Sequence, residues 1–200
     1  MNERQLPANP AKPQPFPLRR VLGVILPVAV LIGVGLFLFF TFRIYKIPQK
    51  GMWPTFDPDE MVIARQRPYD RVSEVQRGDL VVFYRDVDGV RKDFIWRVIG
   101  LPGEEVSIVD DVVVIGEKRF QRNRLAKDGT FVTYSETFDG RTWKVALPEP
   151  ATEPKKANMS PRRLGEGEFF LLGDNRHNAF DSRETGPVPF ETIVGKVVYP

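Results

Sequence analysis

The side chains best suited to chemistry are concentrated in one stretch, Gly173-Asp174-Asn175-Arg176-His177-Asn178-Ala179-Phe180-Asp181-Ser182-Arg183-Glu184-Thr185-Gly186-Pro187-Val188-Pro189. It holds carboxylates, guanidiniums, amides, hydroxyls and the single histidine of the chain. Asp174 and Asn175 follow Gly173 as turn formers, because their short side chains bond nearby backbone amides. Arg176 and Arg183 each present a planar fork that grips a carboxylate with two parallel bonds, which makes Asp174 and Asp181 their natural partners. One reading of the stretch is a structural loop locked by buried ion pairs. The other is a loop at the edge of an active site. His177, alone in a polar loop, is expected to be solvated, since a catalytic histidine needs a nucleophile to serve. No metal-ligand spacing such as H-E-x-x-H occurs. There is no cysteine, so neither a disulfide framework nor a zinc–thiolate site is available, and no cofactor is implied.

Two upstream stretches complete a pattern. They are Ile47-Pro48-Gln49-Lys50-Gly51-Met52-Trp53-Pro54-Thr55 and Asp93-Phe94-Ile95-Trp96-Arg97-Val98-Ile99-Gly100-Leu101-Pro102-Gly103-Glu104. The loop itself reads GDNR-x-N-x-x-DSR-x-x-G-x-VP and resembles the C-terminal box of the type I signal peptidases, membrane-bound serine–lysine proteases that remove signal peptides. The first upstream stretch resembles that family's IP-x-x-SM-x-PT, which carries the nucleophile. The second resembles its D-Y-I-K-R-V-x-G-L-P-G-D, which carries the general base. The boxes come in the family's order and cover the chain from about Ile44 to its end.

Such a protease needs a hydroxyl that attacks the carbonyl, a lysine neutral enough to take its proton, and donors where the oxyanion forms. Matched position by position, the resemblance puts the nucleophile at Gly51, the general base at Trp96 and a supporting serine at Ala179. Glycine has no hydroxyl. Indole accepts no proton at neutral pH, and its bulk is expected to fill the place of the lysine. Gln49, Gly51, Met52 and Pro54 fall in the oxyanion and substrate-cleft region. The reactive groups are gone while the framework remains: Met52, Pro54, Thr55, Arg97, Gly100, Asp174, Arg176, Asp181, Ser182 and Arg183 all match. Nearby lysines do not replace the base. Lys50 points to the opposite side of an extended chain from Gly51, and Lys92 lies four residues before Trp96.

These positions need elements to hold them. Residues 1–20 are proline-rich and read as a disordered tail. Val21 to Phe40 carries no charge, and a helix of that length spans roughly the 30 Å of a bilayer core, which predicts a transmembrane anchor over 21–42. No A-x-A-like cleavage site follows it. Basic residues flank both sides, Arg4, Lys12, Arg19 and Arg20 before and Arg43, Lys46 and Lys50 after, so the positive-inside rule favours a cytoplasmic N-terminus narrowly. The resemblance implies the same: a single-pass protein of the cell membrane with its β domain on the outer side.

Residues 44–200 read as a β domain. Strands are predicted around 61–64, 80–84, 94–99, 170–172 and 193–199, with a hairpin over 106–115 turning at Asp110-Asp111. The fold class is therefore all-β, a barrel or sandwich, preceded by one transmembrane helix. The polar stretch 121–161, with short strands near 131–134 and 142–145, reads as a cap or insertion. The net charge of +3 is spread without a basic stripe, which argues against nucleic acid. The expected function is that of an inactive signal peptidase relative that binds signal peptides or preproteins, the bilayer, or an active signal peptidase or other secretion component. The alternatives are an active peptidase with a displaced nucleophile and a structural subunit of a membrane complex.

Overall fold

The structure is a computed structural model that describes residues 18–150 and 154–199. Most of the expected proline-rich tail lies outside these residues. The chain divides into two units, residues 1–39 and 40–200. The first contains most of helix α1, Leu18–Thr41, with Pro27 inside it. From Ile25 to Phe40 its side chains are exposed and apolar or small. Among the described residues, no helix is long and apolar enough to cross a membrane.

The second unit is mostly β. Its strands are β1 (Phe42–Lys46), β2 (Met61–Gln66), β3 (Leu80–Val87), β4 (Val90–Gly100), β5 (Glu105–Val109), β6 (Val112–Ile115), β7 (Lys118–Arg119), β8 (Gln121–Asp128), β9 (Phe131–Phe138), β10 (Arg141–Pro148), β11 (Met159–Arg163), β12 (Glu168–Leu172), β13 (Val188–Pro189) and β14 (Ile193–Tyr199). They form three sheets: seven strands in the order β1-β2-β14-β3-β4-β12-β13, three in the order β10-β9-β8, and four in the order β11-β5-β6-β7. The hairpin β5–β6 turns at Asp110 and Asp111, both with positive φ, a conformation that Asp tolerates better than most residues.

The long central strands are buried on both faces, and their side chains alternate between two apolar cores. Trp96 and Val98 of β4 and Phe169 and Leu171 of β12 enter the first, with Met52, Val62, Val81 and Phe83. Ile99, Phe170 and Leu172 enter the second, with Val106, Ile108, Val113, Phe120, Phe138, Trp143, Val145 and Leu147. Continuous apolar runs such as Phe169 to Leu172 are what a strand covered on both sides requires. Full burial of each such side chain stabilises the fold by about 1.5–3 kcal/mol.

The stretch 121–161 differs in detail from the sequence expectation. Its strands are longer than expected, eight residues each in β8, β9 and β10, and β8 was not foreseen because QRNRLAKD is mostly polar, with no alternation of apolar residues. Phe138, Trp143, Val145 and Leu147 from this stretch share the second core with β4 and β12. A pair of backbone bonds, Ala146 N to Asp174 O at 2.8 Å and Arg176 N to Ala146 O at 3.0 Å, joins β10 to the loop after β12.

Candidate functional site

The polar loop begins where β12 ends at Leu172. Asp174 is buried, and its carboxylate is gripped by Arg97 of β4, with Nε to Oδ1 at 2.8 Å and the second nitrogen to Oδ2 at 2.6 Å. Thr55 Oγ1 donates to the same carboxylate at 2.5 Å, and Arg97 also donates to the Gly78 carbonyl at 2.9 Å. Thr55, Arg97 and Asp174 come from the three separate sequence boxes, so one buried ion pair fastens all three together. Asn175 N donates to the Gly51 carbonyl at 3.0 Å, which sets the loop against the turn that carries Gly51.

The expected pairing is thus corrected at Asp174 and Arg176. Arg176 bonds Glu136 of β9 instead, with both residues within the interior, and Arg122 of β8 reaches the same carboxylate at 2.6 Å. Burial pushes the Glu136 carboxyl up, but the guanidiniums of Arg176 and Arg122 outweigh it and hold it below the ordinary carboxylate range. Asp181 and Arg183 do meet: Nε to Oδ1 is 2.9 Å and the outer nitrogen to Oδ2 is 2.7 Å. Asp181 also accepts from Gly173 N at 3.0 Å and caps the short helix α2, Ser182–Thr185, by accepting from Arg183 N. Ser182 Oγ accepts from Leu171 N at 3.0 Å, a framework role.

His177 is a second correction. Its side chain is buried, not solvated, and Nε2 lies 2.8 Å from Asp111 Oδ1 in the β5–β6 turn. Beside it Lys156 reaches into the loop from the far end of the 121–161 stretch. Its ammonium donates to the carbonyls of Ala179 at 2.7 Å and His177 at 3.2 Å and pairs with Glu184 at 2.7 Å. Glu136, Thr55 and Lys156 were missed as loop-fixing residues by sequence reasoning. Glu136 had a legible signal, because it shares the inward face of β9 with Val132 and Phe138.

Gly51, Trp96 and Ala179 come together. Gly51 sits in a turn of 3-10 helix, Lys50–Met52. A Cβ built on it would stand 2.5 Å from Trp96 Cη2, 2.7 Å from Trp96 Cζ3 and 3.7 Å from Ala179 Cα. Gly173 closes the other side: a Cβ there would collide with the Ala179 methyl, and would lie 2.6 Å from the Gly51 carbonyl and 2.9 Å from Trp96 Cζ3. The indole therefore occupies the space that any side chain at position 51 would enter. No backbone strain is involved at Gly51, whose φ is not positive.

A cleft of about 350 Å³ opens in front of this cluster, lined by residues 45–49, 51 and 52 on one side and 92–96 on the other. Gln49, Gly51 and Met52 line it, whereas Pro54, joined to Trp53 by a cis bond, does not. Burial raises the Tyr45 phenol, which keeps that hydroxyl protonated in the cleft wall. Both walls are strand segments with an open side. Among the described residues, strand β1 is an outer strand paired only with β2, and β4 pairs with β12 only at Arg97, Val98 and Gly100, leaving residues 90–96 with β3 alone. Among the described residues no group of His, Asp or Glu is arranged to hold a metal ion.

The comparisons with known proteins agree with the three boxes. The family model described as signal peptidase, peptidase S26, matches residues 18–200. Signal peptidase I of Rickettsia typhi is 35% identical over 137 residues, 63% of this chain and 52% of that protein. Signal peptidase I of Bacillus caldolyticus is 31% identical over 158 residues, 79% of this chain and 78% of its own. A solved signal peptidase I from Enterococcus faecalis V583 is matched at 28% identity over 62% of this chain and 97% of that one, with a TM-score of 0.39. The chain spans about half the length of the Rickettsia relatives it matches. With a match running over nearly all of its length, the chain belongs to the signal peptidase family, peptidase S26.

Proposed function

We propose that this chain is a membrane-anchored signal peptidase relative that binds peptides in its cleft without cleaving them. The observation that carries this reading is the Trp96 ring lying where a side chain at position 51 would go. With glycine at 51, indole at 96 and a methyl at 179, these three positions supply neither a hydroxyl to attack nor an amine to accept a proton. What remains supports binding. Two strand segments with open sides flank one apolar cleft, the arrangement in which an extended peptide adds as a further strand. Signal peptides and preproteins are the ligands this reading favours, with an active signal peptidase or another secretion component as a protein partner.

The anchor in this proposal is the charge-free run Val21 to Phe40, of which the side chains of residues 21, 22 and 24 lie outside the described residues. Its N-terminus then lies in the cytoplasm and residues 44–200 on the outer face of the cell membrane. The test is photocrosslinking. A crosslinker placed at Ile95, in the cleft wall, should capture a signal-peptide-bearing preprotein and leave it at full length. Failure to crosslink there, with capture from a control site elsewhere on the domain, overturns binding in the cleft.

The names of the relatives favour a second reading, an active peptidase whose nucleophile has moved from position 51. On that reading the captured preprotein would be recovered shortened.

A further inference from the structure

Beside the cleft lies a second cavity of about 310 Å³, within the range of about 300–1,000 Å³ that small-ligand sites occupy. Phe94 and Trp96 line both, and Phe83 and Phe180 complete the aromatic lining of the second. Strand pairing produces this wall. Val81 lies opposite Trp96, Phe83 opposite Phe94 and Arg85 opposite Lys92 across β3 and β4, so these side chains share one face of the sheet. The rings of Phe83 and Phe94 stack with their centroids 5.8 Å apart. Phe180 differs from the others: it is 63% exposed, an apolar ring that the fold leaves in solvent.

One guanidinium belongs to this lining. Arg85 lies 5.7 Å from the Phe83 ring centroid. Its outer nitrogens donate to the carbonyls of Thr185 at 3.0 Å and Gly186 at 2.9 Å, which occupies two of its five N–H groups. It makes no ion pair among the described residues. Burial pushes the guanidinium below its ordinary value, and Asp181 pulls it the other way from a distance while gripped by Arg183 at 2.7 Å. Lys92, opposite Arg85, is exposed and lines the first cleft. Two carboxylates border the second cavity. Asp86 alternates to the other face of β3 from Arg85, and its Oδ1 accepts from Gly89 N at 2.8 Å. Asp88 is exposed in the β3–β4 turn, where solvent screens it.

An aromatic cavity holding a desolvated cation without a counter-ion complements an anion with an apolar body. The rings gain by burying the body, and the remaining N–H groups form charge-assisted bonds to the head. A single guanidinium in the lining matches a monoanion. We propose that the second cavity binds a single-chain carboxylate of the fatty-acid type, with its head on Arg85 and its chain against Phe83, Phe94, Trp96 and Phe180. This inference does not depend on peptide binding in the cleft.

The test uses the full chain in lipid nanodiscs and the quenching of Trp96 by a bromine atom brought against the ring. The probes are ω-bromooctanoate and the matching bromo-alcohol, and Trp96→Phe supplies the background from the other indoles. The carboxylate should quench saturably and bind at least about tenfold more tightly than the alcohol, roughly 1.4 kcal/mol. Unbrominated octanoate should displace it, and acetate, a head without a chain, should not. Arg85→Gln should bring the carboxylate down to the affinity of the alcohol, and Phe180→Ser, an exposed change, should weaken both probes alike. Equal affinity for the two probes, displacement by acetate, or the absence of saturable quenching overturns the inference. Quenching untouched by Arg85→Gln and by Phe180→Ser places the probe in the first cleft and overturns it too. If Arg85→Gln does not fold, the ratio of the two probes and the response to Phe180→Ser still decide.

Discussion

Placing a serine at position 51 tests whether the Trp96 ring occupies that space. A Cβ there stands 2.5 Å and 2.7 Å from two ring carbons, well inside any real contact. The ring cannot retreat toward Gly173 or Ala179, which already wall it in. Its remaining freedom is toward the two cavities it borders, so relief is partial. Overpacking of this kind costs about 1–3 kcal/mol. For a chain of this size each kcal/mol lowers the melting midpoint by about 2–4 °C. Trp96→Ala alone leaves a hole and costs about 3–5 kcal/mol. In that background the clash is gone, and adding Gly51→Ser should cost close to nothing. The two changes should therefore couple by about 1 kcal/mol or more. The assay is urea denaturation of the full chain in micelles, followed by far-UV circular dichroism, for both single variants and the double. Equal cost of Gly51→Ser in the two backgrounds would refute the claim that the indole fills the side-chain space of position 51.

Four further outcomes can be measured, three on the ion-paired framework and one on topology. Glu136→Ala strands the buried Arg176 guanidinium and should cost about 3–5 kcal/mol in denaturation experiments. The Glu136 carboxyl is held low in the folded chain, so its contribution is complete above the ordinary carboxylate value of about 4.3. It is lost as pH falls through the lower folded value. The stability gap between wild type and Glu136→Gln should accordingly narrow on acidification below about pH 4, and a gap unchanged by acid would mean the pair is not ionised. Asp181→Ala removes the Arg183 fork and the Gly173 N–H bond together and should lower the melting midpoint clearly; a midpoint within error would mean these groups are effectively solvated. Protease added to spheroplasts should digest the chain after Tyr45, and full protection with intact permeability controls would reverse the proposed orientation.

Much of this architecture was legible in the sequence because its signals are local. The β-branched runs at 61–64, 80–84 and 106–115 name their strands without help from the rest of the chain. The three boxes name Gly51, Trp96 and Ala179 through order and spacing, and these residues do adjoin one another. Partner choice was not local. Arg176 lies two residues from Asp174, yet its carboxylate comes from Glu136, 40 positions away, while Asp174 takes Arg97, 77 positions away. A sequence shows which groups must be paired when buried, but the sheet register decides which of them meet. Strand β8 was invisible for a related reason. It lies at the edge of its sheet with most side chains exposed, so no alternation marks it, and its hydrogen bonds to β9 alone define it. His177 misled because a polar neighbourhood in sequence does not imply exposure: the β5–β6 turn brings Asp111 to the ring nitrogen Nε2.

The most direct measurement is cleavage itself. Purified full-length chain is incubated with a preprotein carrying an A-x-A-type site, beside an active signal peptidase as a positive control. The triple change Gly51→Ser, Trp96→Lys, Ala179→Ser serves as a companion, because it restores the hydroxyl, the amine and the supporting serine at positions that adjoin one another. Gly51→Ser alone should give little, since a serine without a base is a weak nucleophile. Any recovery in the triple variant should be small, because a misplacement of about 1 Å costs about two orders of magnitude in rate. For the wild-type chain the expected result is no cleavage above background. Wild-type cleavage at the A-x-A-type site, free of contaminating peptidase and abolished by a single substitution in this chain, would contradict the non-catalytic reading.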